Sequence, residues 1–270
     1  MPMAKNKNGL VTLSWQSFGE GPAVLLIAGQ GMTVDGWWAT IPVLAESFRV
    51  IAFDNRDTGS SSRVHWFYSA AHMAADAVAV LDAAGEECAH VYGVSLGSLV
   101  AQEVVLRHPE RVNALVLGAS SAGGFAAYKP SPLSPAQTFM VRAGTMGPAE
   151  AEWAAVPYTY AKKTSQSHPE RIAADIDHRL NAHPDTNAYV HQAAVVATHD
   201  AYERLNQVGA PTLVVHGEQD IFMPPANALV LAERIPGAQL QLWPDAGHLY
   251  MIDEPRADRG IARFLTESSR

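Results

Sequence analysis

The chain is predicted to be an α/β protein: a doubly wound, mostly parallel sheet carrying an inserted helical cap. Three observations lead there. First, Ala23–Ala28, Arg49–Phe53, His90–Tyr92, Val112–Leu117 and Pro211–His216 are continuous apolar runs. They do not alternate with polar residues, so both faces of each strand are expected to be buried, as in a parallel sheet covered by helices on both sides. Second, helical patterns separate these runs, and right-handed crossovers then wind the sheet. Third, no strand-like run occurs from Gly123 to Arg204, where the composition turns to Ala, Pro, Tyr, His and Met.

Taken in chain order, Leu10–Phe18 alternates polar and apolar residues and suits an antiparallel hairpin strand entering the Gly19-Glu20-Gly21-Pro22 turn. Gln239–Trp243 reads as a further strand near the sheet edge. Ser69–Ala84 repeats Met73, Ala77 and Leu81 on one face and stops at Gly85, which fits a left-handed cap. Helices are also expected over Ser95–His108, Phe222–Ile235 and Glu254–Leu265. A structureless loop as long as 123–204 is implausible in a compact domain. Residues 1–122 and 205–270 are therefore expected to form the core domain. Residues 123–204 form a helical cap subdomain, entered through Pro130, Pro132 and Pro135.

Composition narrows the function. Hydrophobic residues are 48% and charged residues 17% of the chain, an ordinary globular balance. The formal charge is −8 and no Lys/Arg-rich run occurs, which argues against a nucleic-acid partner. Met1–Asn8 is basic but no apolar stretch of signal-peptide length follows, and the run Ala23–Ala28 is too short to span a membrane. A cytoplasmic protein is the expectation. Cys88 is the only cysteine, which precludes an intramolecular disulfide and suggests a small core residue beside a strand.

The chemistry centres on Gly93-Val94-Ser95-Leu96-Gly97, which joins the strand at His90–Tyr92 to the next helix. The spacing alone is weak evidence; its position carries the weight. A sharp strand-to-helix turn holds a serine strained and exposed above the sheet, and flanking glycines let backbones pass closely. The helix N-terminus then faces the reacting centre. A serine hydroxyl needs a base oriented by a third group, and with this motif the chain order is Ser, acid, His. Asp220, in His216-Gly217-Glu218-Gln219-Asp220, and His248, in Asp245-Ala246-Gly247-His248, fill those slots. Both follow strands, at the sheet edge where α/β folds bind ligands. Glu218 and Asp245 are rival acids. The loop Gly118–Ala122, another place for the acid, has none.

Acyl chemistry also needs two preorganised N–H donors for an oxyanion. Leu96 N–H, just after the serine, is one candidate; Gln30 N–H, in Ala28-Gly29-Gln30-Gly31-Met32, is the other.

These motifs, with Asp54-Asn55-Arg56-Asp57-Thr58-Gly59-Ser60-Ser61 after the second buried strand, resemble the α/β-hydrolase superfamily over essentially the whole chain. The Asn-Arg-Asp-Thr-Gly version is similar to that of aclacinomycin methylesterase-type carboxylesterases and other small lipolytic esterases. The resemblance implies a helical cap, and structural roles for Asp54 and Arg56 in fixing a loop beside the site. It also marks a departure: Ala28 stands where the superfamily usually has a His that braces the oxyanion loop. Ser95 argues against epoxide hydrolases and haloalkane dehalogenases, which carry Asp at this position.

Trp37 and Trp38 are candidates to line an acyl pocket, or one of them to anchor a core helix. Met140, Met146, Trp153, Tyr158 and Tyr160 are candidates for an apolar cap floor, and Leu249 and Tyr250 for the leaving-group side. His168, His178, His183, His191 and His199, near Asp175, Asp177 and Asp185, show no tight metal-binding pair and read as a solvated cap surface. No nucleotide fingerprint appears, and no cofactor or metal is expected. The expectation is therefore a serine hydrolase acting on small to medium carboxylic esters or lactones. Perhydrolysis, acyl transfer or C–C cleavage by the same residues is the alternative; a slow-turnover ligand sensor is another.

Overall fold

The computed structural model describes residues 1–132, 134–135, 138–139, 142, 145–180 and 186–269. Eight strands form one sheet: β1 (Met3–Lys5), β2 (Thr12–Phe18), β3 (Ala23–Ile27), β4 (Arg49–Phe53), β5 (Ala89–Val94), β6 (Val112–Gly118), β7 (Thr212–Gly217) and β8 (Gln239–Trp243). Their spatial order is β1-β2-β4-β3-β5-β6-β7-β8. β4, β3 and β5 through β8 run parallel, while β1 and β2 are antiparallel to their neighbours. The expected continuous apolar runs are fully buried in β3 and β5, with alternate residues feeding opposite faces.

On one face, Leu25, Ile27, Val91 and Leu115 pack with Met73, Ala77 and Leu81 of α2 (Ala70–Ala84) and with Val100 and Val104 of α3 (Leu96–Arg107). On the other, Val24, Leu26, Tyr92 and Val116 pack with Trp37, with Leu44 of α1 (Thr40–Leu44), and with Ile261 and Leu265 of the terminal helix, Arg256–Ser268. Each such aliphatic side chain contributes about 1.5–3 kcal/mol when removed from water.

Between β6 and β7 the described residues include the helices α4 (Pro148–Thr159), α5 (Lys162–Ser167), α6 (Pro169–Leu180) and α7 (Thr186–Thr198). Among the described residues of 123–204 no strand joins the sheet; Gly123 and Asp200 make a single isolated bridge. After β7 and β8 come α8 (Ala226–Arg234), α9 (Tyr250–Asp253) and α10 (Arg256–Ser268). Among the described residues no helix is long and apolar enough to cross a membrane.

Four expectations shift. The Gly19–Pro22 turn does not close a hairpin: β4 lies between β2 and β3, and β2 pairs with β1 and β4 instead. Alternation marks an antiparallel strand without choosing its partner. The helix expected from Phe222 begins at Ala226, because Asp220 Oδ1 takes the N–H groups of Phe222 and Met223, and residues preceding Pro224 and Pro225 are biased out of the helical region. Pro255 likewise divides the C-terminal segment into α9 and α10. Cys88 is half-buried rather than a core residue, since it precedes the buried stretch of β5.

The winding reverses between β3 and β5: the chain goes from β3 outward to β4, then returns to the far side of β3. The turns after these two strands thus flank the switch point, where ligands bind in open α/β sheets.

Candidate active site

Ser95 sits between β5 and α3 at φ 54°, ψ −123°. A serine in that region is strained, at roughly 1–3 kcal/mol, and persists only where its surroundings hold it. Its neighbours show how. A Cβ on Gly93 would lie 2.2 Å from Gly97 O, and one on Gly97 would lie 1.9 Å from Ile27 O of β3. Neither site admits a side chain, so α3 packs its first turn directly against β3. The Leu96 N–H, at the first position of α3, has no intrahelical acceptor.

Asp220 and His248 come to Ser95 from the turns after β7 and β8. His248 Nε2 lies 3.0 Å from Ser95 Oγ, and His248 Nδ1 lies 2.7 Å from Asp220 Oδ2. A carboxylate only accepts, so Nδ1–H donates to Asp220 and Nε2 is left to accept the Ser95 hydroxyl proton. Asp220 is 2% exposed. Its Oδ1 accepts the Phe222 and Met223 N–H groups, each at 2.9 Å. Burial by itself would raise this carboxyl, but the charge of His248 and hydrogen bonds from His216 and His248 hold it well below the usual carboxylate range. The rival acids lie elsewhere: Glu218 is exposed, and Asp245 pairs with Lys163 at 2.7 Å on the surface.

The turn after β3 supplies the other candidate donor. A Cβ on Gly29 would stand 3.5 Å from Ser95 Cβ, so this turn passes against the serine. Among the described residues no protein acceptor takes the Gln30 N–H. The turn is tied down on both sides of it. Asn55 Nδ2 donates to Ala28 O at 3.0 Å, Gln30 Nε2 to Tyr189 O at 3.1 Å, and Gly31 N–H to Gln192 Oε1 at 2.8 Å. The bracing expected to be lost with Ala28 is thus supplied by other residues.

His216, Asn55 and Gln192 are neighbours of the site that the sequence did not single out. His216, fully buried in β7, donates Nε2–H to Met223 O at 2.7 Å and lies 3.3 Å from Asp220 Oδ2. The sequence marks it only as the end of a buried strand. Asn55 stands inside the quoted Asp54–Ser61 motif, which could have flagged it. For Gln192, no local signal exists.

Asp54 and Arg56 do hold a loop. Asp54 accepts N–H bonds from Val34 at 3.0 Å and Ser60 at 2.9 Å, and Arg56 makes a paired contact with buried Asp76 at 2.6 and 2.8 Å. The two tryptophans separate. Trp37 is 1% exposed and packs edge-on to Tyr92 at 5.1 Å, so it is core. Trp38 donates Nε1–H to Asp175 Oδ1 at 2.9 Å and stacks on His178, linking the core to α6. Tyr158 ends α4 near Phe222, whose ring in turn lies 5.5 Å from that of His248. Leu249 is buried beside His248, and Tyr250 is buried with its hydroxyl 2.6 Å from that of Tyr92. Tyr160 is buried and donates to Asp175 Oδ2 at 2.6 Å, while Trp153 is exposed. Met140, His183 and Asp185 lie outside the described residues.

The solvated histidine surface needs correction. His199 is buried and bonded to Gln102 at 3.2 Å, and His191 lies 3.2 Å from Asp57 between the rings of Phe67 and Tyr68. These two are joints between the insert and the sheet; polarity alone misled. Among the described residues no three His, Cys, Asp or Glu side chains form a group able to hold a metal ion.

A family model described as alpha/beta hydrolase fold matches residues 22–255. A Variovorax paradoxus chain provisionally named carbamate hydrolase RutD is 30% identical over 93% of this chain and 94% of its own. The pimeloyl-[acyl-carrier protein] methyl ester esterase of Aeromonas hydrophila is 28% identical over 91% and 96%. Among solved structures, a thermophilic esterase from Thermogutta terrifontis superposes with a TM-score of 0.83 at 26% identity, covering 100% of this chain and 99% of that one. On this family match and these relatives, the chain belongs to the α/β-hydrolase fold family and is a hydrolase.

Proposed function

We propose that this hydrolase cleaves small to medium carboxylic esters or lactones through an acyl-enzyme on Ser95. The observation that carries the proposal is the hydrogen-bonded line from Ser95 Oγ through His248 to Asp220. His248 takes the Ser95 proton as Oγ bonds to the substrate carbonyl carbon, and the carbonyl electron pair moves onto oxygen. The N–H groups of Leu96 and Gln30 stabilise that oxyanion. His248 then gives the proton to the departing alkoxide, leaving the acyl group on Oγ. Water, deprotonated by the same His248, attacks in turn, and acid and free serine are released. Asp220 stays ionised, fixes the imidazole through Nδ1–H and favours its charged form.

Residues 123–204 serve in this reading as a cap over the core formed by 1–122 and 205–270. In support, Thr159 O, at the end of α4, accepts the His248 N–H at 2.8 Å, and Tyr158 approaches Phe222 beside His248. Phe222, Tyr158 and Leu249 make the surroundings of His248 apolar, which suits an acyl or alkyl group rather than a charged one.

A carbamate is a second candidate substrate, favoured by the name of the Variovorax relative. It presents the same kind of carbonyl to Ser95. A panel of p-nitrophenyl esters, lactones and carbamates graded by size orders these classes. Ser95→Ala is expected to lower kcat by about 10⁴-fold or more on whichever is turned over. Hydrolysis by Ser95→Ala at the wild-type rate would refute the mechanism.

A further inference from the structure

The turn after β3 holds a position that the sheet alone does not give it. Its N–H at Gly31 donates to Gln192 Oε1 at 2.8 Å, and the same amide donates Nε2–H to Arg56 O at 3.1 Å. Gln192 is completely buried and lies on α7, in the insert. One side chain thus spans two turns of the sheet edge, the one after β3 and the one after β4. A second strap from the same helix, Tyr189 O to Gln30 Nε2, flanks the first. On either side of the Gln30 amide, then, a contact reaches α7: the side chain of residue 30 itself and the backbone of residue 31.

We propose that Gln192 is the positioning residue of the oxyanion site, holding the Gln30 N–H against Ser95 in place of the histidine absent at Ala28. The inference rests on the Ser95 acyl-enzyme reading. The physical argument is one of precision. A backbone donor is effective only near 2.7–3.1 Å from the developing oxyanion, and misplacement by about 1 Å costs on the order of 100-fold. The turn carries glycine on both sides of residue 30, with Gly31 at φ +70°, so its own backbone permits rotation of the peptide. Gln192 also resists replacement by rearrangement. Its two partners face opposite amide atoms, so a flip would set Nε2 against an N–H and Oε1 against a carbonyl. Because Gln192 and Tyr189 belong to α7, assembly of the oxyanion site depends on docking of the insert.

The test compares the wild type with Gln192→Met, which keeps shape and volume but removes both hydrogen bonds, and with Gln30→Met, a half-buried change that removes only the Tyr189 strap. Each is measured for kcat and KM on p-nitrophenyl butyrate, and for affinity toward an alkyl trifluoromethyl ketone, whose hemiketal on Ser95 places a charged oxygen in the donor site. Gln192→Met is expected to lose about 10–100-fold in kcat with KM within about 3-fold, and to lose ketone affinity by a matching factor. Gln30→Met should show the same pattern at about 3–10-fold, and it stands as the test should Gln192→Met not fold. Wild-type kcat and ketone affinity in the variants would overturn the role of Gln192, as would a loss confined to KM. If the wild type neither binds the ketone nor depends on Ser95, the acyl-enzyme reading itself falls and takes this inference with it.

Discussion

Two turns meet at the switch point of the sheet, and they are held by different means. The turn after β5 is fixed by close backbone packing: Gly93 has no room for a Cβ against Gly97 O, Gly97 has none against Ile27 O of β3, and the strained Ser95 lies between them. The turn after β3 contains glycines that permit freedom, and its fixity comes from Asn55 and from Gln192 and Tyr189 of α7. The geometry of Ser95 is therefore set by five consecutive residues and their close approach to β3, whereas that of the facing Gln30 N–H is set by side chains from distant segments. A change in the insert should then disturb the electrophilic half of the site while leaving the nucleophilic half intact.

The largest effect lies on the nucleophile side, where Asp220→Asn keeps the shape but removes the charge. His248 would then lose the partner that fixes its Nδ1–H tautomer. A fall in kcat of about 10⁴-fold is expected, with an unchanged circular dichroism spectrum and melting temperature within a few degrees. The buried amide would retain one acceptor for Phe222 and Met223. A fall of less than tenfold would mean that another acid orients His248, and the nucleophile half would be less self-contained than described.

Next in size is a test of the turn itself. Gly97→Ala would place a methyl 1.9 Å from Ile27 O, against backbone that cannot rotate away. A loss of about 3 kcal/mol or more, read by urea denaturation, is expected, with loss of trifluoromethyl ketone binding at Ser95. Stability within about 0.5 kcal/mol of wild type would show that the close approach of α3 to β3 is not what holds the serine.

The same contrast explains what could be read from the sequence. The glycines around Ser95 announce their own geometry, and the positions of Asp220 and His248 follow from two strands, the continuous apolar run Pro211–His216 and the edge strand Gln239–Trp243. The antiparallel character of β2 was legible but its partner was not, because alternation fixes a face and not a neighbour. His216 was hidden by its own strand: in a run of buried residues nothing distinguishes an imidazole that braces a carboxylate from one that merely fills space. Gln192 was beyond reach for a stronger reason. It meets Gly31 across 161 residues, from a mostly apolar helix in which one glutamine carries no mark of its role and whose burial depends on how the whole insert docks. The misreading of His191 and His199 has the same origin.

The smallest expected effect probes that docking by pH. His199 follows α7, donates Nε2–H to Gln102 Oε1, and has Glu103, Arg204 and Asp200 as its charged neighbours. Burial outweighs the attraction of Glu103 and lowers its pKa from 6.5 to about 4. A base with a depressed folded pKa binds its proton more readily when unfolded. The stability it preserves is complete above about pH 6.5 and is lost as pH falls toward about 4. At pH 5 the cost is about 2 kcal/mol. Hydrogen exchange should therefore show protection factors in α7 falling by about 30-fold between pH 7.5 and pH 5, while α3, anchored by the glycine turn, holds its own. His199→Phe should abolish the difference between the two helices. Equal loss in both would mean that α7 opens only with the whole molecule, and the electrophilic half would then be as firmly built as the nucleophile it serves.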